Sequence, residues 1–270
     1  HSGTMGQEDG KKWAAAAHPQ PTIPKSDRLL AQPYPETIVR VLSKSKLLAW
    51  RQCPKRLWLE VHRPDLREDS AATQASFAIG HQVGDIARQL YDPLGKGKLI
   101  DLHAEGFDAA FERTQALLQR AQPIFEAGFR AKGALVFADV LLPEQKSRTL
   151  TWRMVEVKSS TSVKDYHRDD AAVQSFVARA SGVPLTAIAL AHIDSSWVYP
   201  GNEDYAGLLV ENDLSAEAFG RGEEVGGWIA EAQKIVAKKK EPAVTTGTHC
   251  SSPYECGFLT YCQSQEPQAE

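Results

Sequence analysis

The sequence predicts an α/β fold, a mixed sheet of about five strands flanked by helices, and three observations carry that expectation. Two apolar runs, Val136–Leu142 and Leu150–Lys158, are separated by a Pro-Glu-Gln-Lys-Ser turn and read as a central hairpin. Thr186–Ile193 is almost continuously apolar between Pro184 and Asp194, the composition of a buried strand. Around these runs lie segments whose apolar residues recur at helical spacing, as they do in helices that lay one face on a sheet.

Taken in order, residues 1–37 are polar and hold five prolines, which predicts a flexible lead-in; His1–Thr4 before Met5 read as a tag remnant. Ser43 is placed to cap a helix through Leu47, Leu48 and Arg51 that bends or restarts at Pro54, with Cys53 at the break. A second helix covers residues 71–91, with Ile79, Val83, Ile86, Ala87 and Leu90 as its core stripe. His81 lies off that stripe beside Gly80, and glycines inside a helix predict a segment or ligand close by. Lys98–Leu102 reads as a strand, Gly106–Phe125 as an amphipathic helix, and Ser162–Ala180 as a helix with Tyr166, Asp170 and Gln174 in one line. A solvated helix face explains that polar line equally well. Gly207–Val210 reads as an edge strand and Ala216–Lys238 as one last helix.

The central hairpin carries the chemistry. Side chains alternate along a strand, so Glu156 and Lys158 share one face while Val155 and Val157 enter the other. Asp139 sits among Phe137, Ala138, Val140 and Leu141, where a carboxylate is costly to bury unless it is paired or metal-bound. Two carboxylates and an ammonium thus converge in a pattern that suits a metal site, with His81 as a candidate third ligand. A structural ion-pair cluster or a solvated strand face gives the same short pattern.

Four cysteines remain. Cys250, Cys256 and Cys262 are spaced by two successive gaps of five, next to Tyr254, Phe258 and Tyr261, and the fourth is Cys53. No apolar run is long enough for a membrane helix and no signal segment is seen, so a cytoplasmic, non-membrane chain is expected. Disulfides are disfavoured there, and metal ligation explains the thiols better: an iron-sulfur cluster first, zinc second, unligated or paired thiols third. Joining Cys53 to the tail would close a loop worth roughly 5 kcal/mol in the chain-entropy picture. The net charge of -3 does not advertise nucleic-acid binding, so such contact needs a local patch such as Lys158, Lys164, His167 and Arg168.

The ordered set His81, Asp139, Glu156-Val157-Lys158 and Gln174 resembles the PD-(D/E)XK nuclease superfamily, in particular its RecB-like branch. One cysteine before the core and three after it are similar to the iron-sulfur members of that branch, the AddB-type and CRISPR-associated exonucleases. The resemblance spans about residues 43–262. It implies a restriction-endonuclease-like α/β fold with N- and C-terminal segments joined at a metal cluster, one nuclease domain over 38–262 and a flexible tail over 263–270.

It further implies that His81, Asp139, Glu156 and the Val157 carbonyl hold Mn2+ or Mg2+, and that Asp139, Glu156, Lys158 and Gln174 are catalytic. Gln174 would orient the lysine or a neighbouring backbone group. Cys53, Cys250, Cys256 and Cys262 would hold a 4Fe-4S cluster, while Lys164, Tyr166, His167 and Arg168 would contact nucleic acid. The implied activity is a metal-dependent deoxyribonuclease acting on DNA, single-stranded ends before duplex, in repair, recombination or defence. No phosphate-binding loop is present, so a helicase or recombination partner would be a separate protein.

The sequence departs from the family pattern twice. Gln174 is followed by Ser175, Phe176, Val177 and Ala178 where relatives often place a tyrosine, a role Tyr166 could take, and the Cys250–Cys256 gap is wider than usual. Two other readings stand beside the nuclease: an inactive nucleic-acid-binding or assembly protein on the same scaffold, and a redox protein that uses the cluster for electron transfer.

Overall fold

The computed structural model describes residues 40–146 and 148–267. The predicted lead-in over 1–37 lies outside them. At the centre is a seven-stranded mixed sheet: β1 (Leu42–Ser43), β2 (Lys98–Leu99), β3 (Ile124–Ala131), β4 (Ala134–Lys146), β5 (Thr149–Lys158), β6 (Leu185–Ile193) and β7 (Leu209–Asp213). The order is β2-β3-β4-β5-β6-β7, with β1 also paired to β4. β3, β4 and β5 form an antiparallel meander, β6 runs parallel to β5, and β7 closes the edge antiparallel to β6.

The expected five strands were too few chiefly because β3 was read as the end of a helix. Ile124 and Phe125 continue the helical spacing of the preceding segment, yet the helix ends at Leu117 and Pro123 precedes the strand. β3 and β4 are joined at Lys132 and Gly133, whose φ values of 54° and 81° are those of the tight hairpin turn that matches strand twist. Other boundaries also move. Lys98–Leu102 shrinks to a two-residue strand, and the Pro143–Lys146 part of the predicted turn continues β4. The edge strand begins at Leu209 rather than Gly207.

Nine helices are described: α1 (Lys44–Gln52), α2 (Pro54–His62), α3 (Ala71–Tyr91), α4 (Leu102–Glu105), α5 (Phe107–Leu117), α6 (Asp165–Ala180), α7 (Ser215–Gly220), α8 (Gly222–Val236) and α9 (Leu259–Gln265). Ser43 caps α1 through Lys46 N, and the chain restarts at Pro54 as expected, with Cys53 between. The single helix expected over 216–238 is two, broken at Arg221, whose guanidinium reaches Asp169 and Glu224. Part of the predicted tail is helical, since α9 extends to Gln265.

α6 is the helix at the heart of the fold. Ala171, Ala172, Val173, Val177 and Ala178 are all fully buried, and small residues let it lie close to the sheet beneath α1, α7 and α8. A smaller apolar cluster, Phe125, Val140, Val155 and Ala191 with Tyr91, packs the opposite side, where α3 lies against β4 and β5. Only the second half of α3 takes part. Val83 and Ala87 are buried, whereas Ile79, expected in the core stripe, is 50% exposed and Phe77 is 52% exposed. Among the described residues, no helix is long and apolar enough to cross a membrane.

Candidate active site

Strand register assembles the first part of the site. Val140 pairs with Val155, so Asp139 falls opposite Glu156 across the β4–β5 ladder. Asp139 Oδ2 accepts a 2.7 Å bond from Val157 N. Glu156 turns toward α6 and is 1% exposed. Its Oε1 meets Lys158 Nζ at 2.7 Å and Lys44 Nζ at 2.8 Å, while Gln174 Nε2 donates to Oε2 at 2.6 Å. Lys158 also bonds Asp170 Oδ2, and Lys44 Nζ lies 3.0 Å from Asp170 Oδ1.

Two of these residues escaped the sequence. Lys44 opens α1 in a Ser-Lys-Ser-Lys stretch that reads as a capping turn and nothing more. Asp170 was visible in the polar line of α6, but the solvated-face alternative is wrong for its inner part: Asp170 is 2% and Gln174 0% exposed. Of the two partners expected for Gln174, the lysine and a neighbouring backbone group, it contacts the backbone group. It donates to Glu156 and, at 3.2 Å, to the carbonyl of Phe137, leaving its own Oε1 buried without a partner, and Asp170 holds the lysine instead.

The second part is a cleft of about 260 Å3 lined by His81, Arg88, Glu126, Asp139 and Val157, among others. A Cβ built on Gly80 or Gly84 would meet nothing within 4 Å, so these glycines face open cleft and no neighbouring segment, contrary to one branch of the expectation. Glu126 is a further acidic group that the sequence did not single out. It lies opposite Asp139 between the Phe125–Val140 and Ala127–Ala138 pairs, with φ of 56°, a left-handed strand residue of the kind found at functional sites.

Electrostatics distinguish these groups. Burial raises the Asp139, Glu156 and Glu126 carboxyls above the usual range, and neighbouring carboxylates add to the effect. Lys44 and Lys158 oppose it at Asp139 and Glu156. For Lys44 and Lys158 themselves, burial is outweighed by Asp170 and Glu156, so both are held as cations; Asp170 is driven the other way, below the carboxylate range, by the two lysines against its burial. Four carboxylates thus share the site with two lysines, and Arg88 at the rim is paired with Asp85. The surplus is negative. A divalent cation suits that surplus and the imidazole, carboxylate and carbonyl donors around it.

The four thiols come together at the other end of α1. Cys53, Cys250, Cys256 and Cys262 line one pocket with Leu59 and Phe258, its free core only about 10 Å3, and no disulfide links them. Burial raises the thiols of Cys256 and Cys262, the latter to about 11. Four soft donors, three of them buried and Cys262 partly so, are the donor set of a tetrathiolate centre. Neither donor set is drawn up to ligand spacing: among the described residues no three His, Cys, Asp or Glu side chains are close enough to share one ion.

The expected nucleic-acid patch is only partly there. His167 is 3% exposed and its Nδ1 accepts from Lys164 N, so it finishes the start of α6 and does not face a ligand. Arg168 is paired with Glu217, Lys164 is exposed, and Tyr166 is half-buried against Tyr254.

No family model matches the chain, and no curated protein matches it. Among solved structures, that of a protein called SSO0001 is similar with a TM-score of 0.42 and 13% identity, over 89% of this chain and 93% of that one. At that score the likeness carries no argument.

Proposed function

We propose that the chain is a divalent-metal-dependent deoxyribonuclease of the RecB-like kind, built on a restriction-endonuclease-like core and acting on single-stranded DNA ends. One observation supports this above the others: Asp139, Glu156, Lys158 and Gln174, picked out in the sequence from three separate elements, gather around one buried carboxylate. The meander β3–β4–β5 followed by α6 and parallel β6 suits that core. Under this reading, His81, Asp139, Glu156 and the Val157 carbonyl would hold Mn2+ or Mg2+, with Glu126 as an added carboxylate donor. The ion supplies Lewis acidity at a phosphate and lowers the pKa of a bound water.

The chain's own groups have distinct tasks. Lys158 touches two carboxylates and is a fixed cation, which suits it to place a water and offset charge on a phosphoryl oxygen rather than to remove a proton. Asp170 holds Lys158, Gln174 fixes the rotamer of Glu156, and Lys44 keeps both carboxylates paired. The four cysteines would hold a 4Fe-4S cluster, with zinc the alternative for the same donors. An imidazole among the ligands suits Mn2+ at least as well as Mg2+.

Replacing Lys158→Ala tests the assignment. Cleavage of a labelled oligonucleotide should fall by at least about 100-fold while oligonucleotide binding persists. Retained cleavage would remove the lysine from the mechanism.

A further inference from the structure

One stretch of the cysteine region leaves it and reaches α1, the start of α3 and Tyr166 of α6. Gln52, the residue before Cys53, donates to the carbonyls of His249 at 2.6 Å and Tyr254 at 2.8 Å. Glu255 accepts from Ser70 at 2.7 Å and Thr73 at 3.3 Å, the residues that begin α3. The arm between Cys250 and Cys256 is therefore tied on one side to α1 and on the other to the helix that carries His81. At its tip, Tyr254 is 43% exposed and its ring meets that of Tyr166 in an edge arrangement, with centroids 4.8 Å apart and planes at 64°. Partial burial raises the pKa of the Tyr254 hydroxyl, with Lys158 opposing the rise.

Pro253 and Tyr254 form a ridge between two open clefts. One, of about 530 Å3, runs toward Lys164 and Tyr166; the other, of about 290 Å3, runs toward Arg67 and the exposed ring of Phe77. The arginines along both clefts already have carboxylate partners: Arg51 has Asp169, Arg56 has Glu60, and Arg67 has Asp69. Little free positive charge is left for phosphates. What the clefts offer a ligand is ring faces: Tyr166, Tyr254 and Phe77. Unpaired nucleobases present such faces outward, whereas a duplex keeps its bases stacked within itself.

We propose that Tyr254 is a stacking platform for a nucleobase of single-stranded nucleic acid, held between two open clefts by the loop between two cysteines. The setting rests on the nuclease reading, but the stacking chemistry is separate from it. Tyr254 touches the substrate, and the cysteine region sets where Tyr254 stands.

The test uses the full chain, purified without oxygen and kept in chelator so that nothing is cut, and reads anisotropy of fluorescein-labelled oligothymidylate, oligouridylate and a duplex of equal length. Tyr254→Ala should weaken both single strands about tenfold, the effect of one stacked base, and leave the duplex within twofold. Tyr254→Phe, which keeps the ring, should bind like the parent. With metal restored, Tyr254→Ala should raise KM by a similar factor and leave kcat within about threefold. Unchanged binding by Tyr254→Ala, an equal loss on the duplex, a Phe variant as weak as the Ala variant, or a parent that binds no single strand would each overturn the stacking role. If cleavage that depends on Glu156 is present while Tyr254→Ala binds normally, the stacking proposal falls and the nuclease reading stands.

Discussion

The carboxylate–lysine site and the cysteine cavity are held together by opposite means. In the first, Glu156 meets Lys44, Lys158 and Gln174, Asp170 meets both lysines, and Asp139 caps a backbone N–H, so protein groups answer Glu156 and Asp170 and leave the negative surplus with Asp139 and Glu126. In the second, four thiols line one pocket without disulfides; a backbone N–H of Phe258 favours the thiolate of Cys256, and Lys55 that of Cys262. A network satisfied by protein keeps its shape before its ion arrives. A set of unanswered donors would gain its order from a ligand, so that under the proposed ligation metal binding there would also be folding energy.

The sharpest way to break this contrast is at the cysteines. Under the proposed four-cysteine ligation, Cys262→Ser should cost about 3–5 kcal/mol and lower Tm by several degrees, because it would open the long loop between Cys53 and the tail. Stripping divalent ions from the parent should shift Tm by no more than about 2 °C. Thermal melts of anaerobic protein compare the two, and equal shifts would mean that both sites depend on their metals for structure.

Lys44→Met probes the other side. It leaves Glu156 and Asp170 sharing one lysine in a buried site, and breaking such a pairing costs on the order of 3 kcal/mol. Adding Asp170→Asn should recover part of the loss, and a double variant no more stable than the single one would show that Lys44 acts through packing alone.

His167 gives a pH signature. Burial, with Lys158 next, lowers its pKa from 6.5 to about 4. The unfolded chain therefore binds more protons between those values, so the stabilisation is complete above pH 6.5 and is lost as pH falls toward 4. His167→Gln should flatten that part of the denaturation profile while keeping an acceptor for Lys164 N. An unchanged slope would place the acid sensitivity in the carboxylates.

The smallest effect separates the two halves of α3. Val83→Ala, in the packed half, should cost about 1–2 kcal/mol, and Ile79→Ser, in the exposed half, less than about 0.5 kcal/mol. Urea denaturation resolves the pair.

Legibility followed the same physics. Asp139, Glu156 and Lys158 stood out because charged residues in apolar strands demand an explanation, and the period of two placed Glu156 and Lys158 on one face. Lys44 could not stand out, since a lysine at a helix start looks like any solvated lysine and its partners lie far along the chain. β3 is hidden in the sequence by Ile124 and Phe125, which continue a helical spacing. In the fold Gly128 is a close-packing residue: a Cβ there would lie 2.7 Å from Phe137 and 3.0 Å from Phe111. Tyr254 was noticed only as a neighbour of cysteines, because nothing local shows that its loop ends beside Tyr166.

The most direct measurement is degradation of end-labelled single-stranded and duplex DNA by anaerobically purified protein with Mn2+, against chelator and Glu156→Ala. The account predicts loss of the single strand that needs both the ion and Glu156, with the label position giving the polarity. Intact DNA of both kinds after incubation with fully metallated protein, or cleavage undiminished in Glu156→Ala, would contradict it.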